Sequence, residues 1–117
     1  AAHAALYRRF LSFMDDVDVL LCPVTGHGAF DKNILSPSVI EGRPARTYFH
    51  WLAPAYGITL TAHPAISIPC GTDDTGLPFG LQVVARRGHD LQLLGIAAAL
   101  EAHIETLPGM KRRRPRV

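Results

Sequence analysis

Pro64-Ala65-Ile66-Ser67-Ile68-Pro69-Cys70-Gly71, followed after a turn by Gly76-Leu77-Pro78-Phe79-Gly80-Leu81-Gln82-Val83-Val84-Ala85, decides how this chain is read. Ala65 to Cys70 is a short apolar run behind Pro64, and reads as a strand. Phe79 to Ala85 reads as a second. Asp73, Asp74 and Gly76 between them are turn chemistry, so the two strands are expected to pair antiparallel. Upstream, Val17-Asp18-Val19-Leu20-Leu21-Cys22-Pro23 reads as a buried strand stopped by Pro23. Downstream, Leu93, Ile96, Ala97, Leu100 and Ile104 fall on one helical stripe. Asp90 stands as its N-cap and Pro108-Gly109 lies beyond its end. Residues 4–15 place Leu6, Phe10 and Met14 on one face of another helix. Tyr48, Leu52 and Ala55 suggest a short helix cut at Pro54 or Gly57. Residues 24–46 contain Pro37, Gly42 and Pro44 without a sustained period, and read as a loop. Long loops of this kind are often functional. The sum is an α/β set of roughly three helices and three strands. Three apolar strands make a thin sheet that needs cover on both faces. Such a set suits the edge of a larger α/β protein.

Composition agrees. The chain has 117 residues and a mass of 12.7 kDa, one domain at most. Charged residues make up 19%, below the quarter or so of a free-standing domain. That deficit points to surface meant to face other protein. Two Cys exclude a disulfide scaffold. Cys22 and Cys70 lie in strand-like segments without CxxC or Cys/His ligand spacing, so they read as reduced, buried thiols. Thr47 to Thr72 is a run of 26 residues without Asp, Glu, Lys or Arg. Pro54, Gly57, Pro64 and Pro69 break it, so deep burial is expected and not a membrane span. Five of the 12 basic residues fall in the last seven positions. That basic tail, 111–117, lacks the aromatic residues that stack on bases. It reads as a solvated or docked terminus, with no nucleic-acid partner expected. The first residue is Ala, so a chain cut from a longer one, or processed, is expected.

Four pieces in order resemble the C-terminal part of the amidase signature family. They are Asp18-Val19-Leu20-Leu21-Cys22-Pro23-Val24-Thr25, the Pro64–Gly71 strand, the Gly76–Gln82 strand, and Asp90 with Leu93-Leu94 and Glu101. The closing Arg112-Arg113-Arg114-Pro115 is also similar to a common family ending. Two positions depart from the pattern. Thr59 and Ala62 stand where the family usually has Asn and Gly. The resemblance implies an α/β/α fold with a mixed sheet covered by helices. Residues 1–110 would be the C-terminal part of one incomplete amidase domain. It implies hydrolysis of a carboxamide to carboxylate and ammonia or amine, in the cytoplasm, without cofactor or metal. The expected partners are a small-molecule amide and the remainder of the domain, with a homodimer as an option.

The family chemistry needs a Ser nucleophile, a bridging Ser and a Lys, set in a Gly/Ser-rich stretch. Ser12, Ser36, Ser38 and Ser67 lie outside any such stretch, and Lys32 is the only lysine before the tail. No catalytic residue is therefore assigned here; the triad is expected upstream. Cys70 with His63 is a conceivable nucleophile–base pair, and packing is the simpler reading. The six His include no HxH or HExxH spacing. The loop after the first strand occupies the place of a variable pocket wall in the family, which makes Thr25 and His27 the candidates for substrate contact. Pro23, Pro64, Ser67, Pro69, Gly71, Gly76, Pro78, Gly80 and Gln82 are expected to carry the structural motif. Gln82 is an amide in an apolar strand and needs a buried partner, at a cost of about 1–3 kcal/mol if it has none. Two other readings stay open: a non-catalytic interaction module derived from an amidase, and the A subunit of a tRNA-dependent amidotransferase.

Overall fold

The computed structural model describes residues 1–112 and 114. Helix α1 spans Ala2–Phe13, strand β1 Val19–Pro23, β2 Val39–Ile40 and β3 Arg43–Pro44. A 3-10 helix at Tyr48–Leu52 runs into α2, Ala53–Leu60. Then come β4, Ala65–Thr72, β5, Pro78–Ala85, and α3, Asp90–Ile104. The main sheet has the order β1-β5-β4. Both neighbours of β5 run antiparallel to it.

The turn between β4 and β5 is made by Asp73. Its Oδ1 accepts from the backbone N–H of Thr75 at 2.9 Å, the Thr75 hydroxyl at 2.6 Å and the Leu77 N–H at 2.9 Å. The β4–β5 register shifts between Pro69 and Thr72, where Gly71 has φ +81°. That left-handed backbone suits only glycine at no cost.

Strand alternation sends residues to two faces. Ile68, Cys70, Val83 and Ala85 form one core cluster with Leu93, Ala97 and Ile104 of α3. Cys22, Gln82 and Ser67 stand in one row across the sheet, on the face turned away from α3. Met110 packs on the same core as α3. Its Cα and the Gly109 carbonyl lie 3.0 and 3.3 Å from where a Cβ on Gly71 would stand. The segment after α3 thus straps across the bulge. Arg112 continues it, donating its backbone N–H to Glu105 at 2.8 Å. Arg113, Pro115 and Arg116 of the expected basic tail lie outside the described residues, as does Val117.

Four local readings need correction. Pro54 does not cut a helix; it sits in the first turn of α2, where its missing N–H leaves no bond unmade. Gly57 is inside that helix. Asp90 is the first helical residue and His89 takes the cap position, without a side-chain cap bond. The Asp90 carboxylate still faces the positive end of the helix dipole. The 24–46 loop contains the β2–β3 hairpin, turned by Glu41 at φ 50° and Gly42 at φ 74°. Two successive positive φ values make the tight turn that matches strand twist.

Candidate functional site

The face of the sheet turned away from α3 opens at its Pro23 end into a cleft of about 760 Å³. Its position follows from the sheet. Gly80 on β5 leaves room for Ser67 on β4: a Cβ there would stand 2.8 Å from the Ser67 Oγ and 3.4 Å from Val24 Cγ2. Glycine at that position and the bare Ser67 hydroxyl form the floor. Pro78 and Phe79 continue it along β5.

One wall is the loop that leaves β1. Thr25 donates its hydroxyl to the His27 carbonyl at 2.8 Å. His27 Nδ1 lies 2.9 Å from the Gly28 carbonyl. A carbonyl only accepts, so Nδ1 donates, and in the neutral ring Nε2 is left as the acceptor. The other wall is the 3-10 helix. The Gly26 N–H donates to the Trp51 carbonyl at 2.7 Å, which staples the two walls together. Phe30 meets Trp51 edge-to-face at 5.2 Å, and His27 meets Phe30 the same way at 5.9 Å. The Trp51 indole N–H is buried without a partner among the described residues. Asp73 reaches the cleft from the β4–β5 turn, its Oδ2 3.5 Å from where a Cβ on Gly28 would be. Hydrogen bonds from the Thr75 hydroxyl and the Leu77 N–H hold its carboxyl below the ordinary carboxylate value.

Thr25 and His27 both line this cleft, with Pro23, Ser67, Pro78 and Gly80. Pro64, Pro69, Gly71, Gly76 and Gln82 do not. Gln82 is buried and donates its Nε2 to Cys22 Sγ at 3.4 Å and to the Pro23 carbonyl at 3.5 Å. It therefore ties the sheet to the exit of β1. Cys70 is packed in the core under α3, whereas the His63 ring faces Phe10 and Tyr7 of α1 and binds the Thr61 carbonyl through Nδ1. No hydrogen bond joins Cys70 and His63 among the described residues. Nor do the described residues hold a group of three or more His, Cys, Asp or Glu that could bind a metal. No helix among them is long and apolar enough to cross a membrane.

The expected wall, the loop from Pro23 to Phe30, lines the cleft, whereas sequence reasoning misses Trp51, Asp73 and Phe79 as cleft residues. The turn accounts fully for Asp73, and a short helix for Trp51. The only tryptophan of the chain, inside Tyr48-Phe49-His50-Trp51, is the signal that could have found that wall.

A family model described as Amidase matches residues 1–94. The chain belongs to the amidase family. An acylamidase of Rhodococcus erythropolis is 35% identical over 98 residues, covering 83% of this chain and 20% of that protein. The A subunit of the glutamyl-tRNA(Gln) amidotransferase of Salinispora tropica is 38% identical over 97 residues, covering 81% of this chain and 18% of its own length. A solved amidase structure superposes with a TM-score of 0.76 at 26% identity, over 86% of this chain and 23% of that one. The chain thus spans about a fifth of the length of the curated relatives it matches. The α/β arrangement of three helices and a three-stranded sheet is shared with that part of the amidase fold.

Proposed function

We propose that this chain is the C-terminal part of an amidase domain that hydrolyses a carboxamide to carboxylate and ammonia or amine. The observation that carries this reading is the cleft. In a chain matching the amidase family over residues 1–94, the loop leaving β1 and the Gly80–Ser67 floor border an open cleft of small-molecule size. In this reading residues 1–110 belong to the domain and 111–117 form its basic end. A Ser–Ser–Lys set, implied by the family resemblance, lies in other parts of the domain. Attack by the activated Ser on the amide carbon expels the amine, and water then hydrolyses the acyl-enzyme. The role of this chain is to seat the amide. His27 offers its Nε2 lone pair to an N–H of the substrate, and Thr25 fixes the His27 backbone. The outer edges of β1 and β4, unpaired among the described residues, and exposed Leu35, Phe49 and Leu91 support surfaces made for further chain. Two free thiols support a reducing, cytoplasmic compartment.

Ammonia release from small carboxamides by the intact protein carrying this chain tests the reading. His27→Ala is expected to raise KM several-fold while kcat holds. Absence of turnover on every aliphatic and aryl amide overturns it.

A second reading is favoured by the match to amidotransferase A subunits: this chain as part of such a subunit. Glutamine-dependent amide transfer, with partner subunits co-purifying, would select it over a stand-alone amidase.

A further inference from the structure

We infer that the cleft selects amides that carry an uncharged aromatic group, seated against the Phe30–Trp51 wall, and turns away amides that carry a carboxylate. This rests on the amidase reading above and gives it a substrate class.

The wall is built before any ligand arrives. Phe30 and Trp51 already hold an edge-to-face pair at 5.2 Å, and Tyr48 backs Trp51 at 6.5 Å, again edge-on. The Gly26–Trp51 hydrogen bond fixes the loop against the 3-10 helix. Phe79 reaches the cleft from β5 and is 45% exposed, so it has apolar surface to lose to a ligand. A flat ring entering this space finds ring edges and faces at the geometry aromatic pairs prefer. A saturated ring of the same size gains the area but not the quadrupole contact.

The charges point the same way. Among the described residues, Asp73 and Glu41 are the acidic groups that line the cleft, and no Lys or Arg lines it. Asp73 spends Oδ1 on its turn, and its Oδ2 lies 3.5 Å from where a Cβ on Gly28 would stand. A carboxylate on the substrate would meet two like charges here and no Lys or Arg among the described residues. Asp73→Asn keeps the turn, because the amide oxygen accepts the same three bonds, and removes the charge.

The test compares ring types in the intact protein carrying this chain. 2-Phenylacetamide and N-benzylacetamide are set against 2-cyclohexylacetamide and N-(cyclohexylmethyl)acetamide, whose reacting amides are insulated from the ring, and benzamide is set against 4-carboxybenzamide. The expected result is an aromatic-over-saturated preference in kcat/KM of about 3- to 10-fold, the size of an aromatic pair beyond its area. Trp51→Leu is expected to erase that preference. Asp73→Asn is expected to raise relative activity on 4-carboxybenzamide several-fold. The ratio between substrates is the readout, so a less stable variant lowers both terms alike. Calorimetric binding of 2-phenylacetamide and 2-cyclohexylacetamide is measured in parallel. Hydrolysis without aromatic preference, or a preference untouched by Trp51→Leu, overturns this inference and leaves the amidase reading standing. Failure of Asp73→Asn to help the carboxylated amide overturns the charge half. Preferential 2-phenylacetamide binding without hydrolysis overturns the amidase reading and supports the cleft. Neither binding preference nor hydrolysis overturns both.

Discussion

Gly71→Ala is expected to damage the fold in a way its near twin Gly76→Ala does not. Both glycines have a left-handed backbone, with φ +81° and φ +82°. An alanine in that region costs about 1–2 kcal/mol. At Gly76 nothing lies within 4 Å of the added methyl, so the cost stops there. At Gly71 the methyl would lie 3.0 Å from Met110 Cα and 3.3 Å from the Gly109 carbonyl. Both are backbone atoms and cannot rotate away. Pushing them back lifts Met110 from the core, an overpacking cost of about 1–3 kcal/mol. Gly71→Ala should therefore cost about 2–5 kcal/mol in total. The assay is urea unfolding of the intact protein carrying each variant. Deleting residues 109–117 in all three backgrounds supplies the control, since it removes the strap and should bring the two alanine variants together. If Gly71→Ala costs no more than Gly76→Ala, or if the deletion leaves their gap unchanged, the strap does not bear on the bulge and the reasoning is wrong.

Three other outcomes are expected. Leu93→Ala, on the buried face of α3 and 4% exposed, should cost about 2–5 kcal/mol in the same unfolding assay. Gln82→Met keeps length and loses the donor to Pro23 and Cys22; both bonds are long, so a loss of about 1 kcal/mol is expected. The Asp73 carboxyl titrates below its ordinary value of 3.8 because the folded turn donates to its ionised form. The stability it contributes is complete above the unfolded value and fades as pH falls through the lower folded value. Stability curves of wild type and Asp73→Asn should therefore begin to converge as pH falls past the unfolded value and merge only below the lower folded one; a gap that stays constant throughout that fall would refute this origin.

The strands and α3 are legible in the sequence because their patterns are local. Ala65 to Cys70 and Phe79 to Ala85 are short, largely apolar runs bounded by Pro and turn residues, and Leu93, Ala97 and Ile104 repeat at helical spacing. The antiparallel β4–β5 pair follows from one turn. The 24–46 segment is opaque because its structure depends on partners far along the chain. Ile40 is buried, with its Cγ2 3.6 Å from where a Cβ on Gly26 would stand, and that loop is held in turn by Trp51. No local period records such a contact. Its hairpin has a signal in Glu41-Gly42, but two-residue strands carry too little alternation to be seen. Thr25 and His27 are reached through their place after β1. The opposite wall escapes because Trp51 meets the loop only through contacts with Gly26 and Phe30, 25 and 21 positions away.

The order of strands sets an order of events. β5 is the last of the described strands to be made and lies at the centre of the sheet. Closing Thr72 onto Pro78 spans six positions, while closing Pro23 onto Leu81 spans 58. The longer closure costs about 2 kcal/mol more chain entropy. The β4–β5 hairpin therefore forms first and becomes the template. β1, with its apolar Val19-Leu20-Leu21, leaves the ribosome before that template exists and waits for it unpaired. The interval leaves an apolar edge open to other nascent chains.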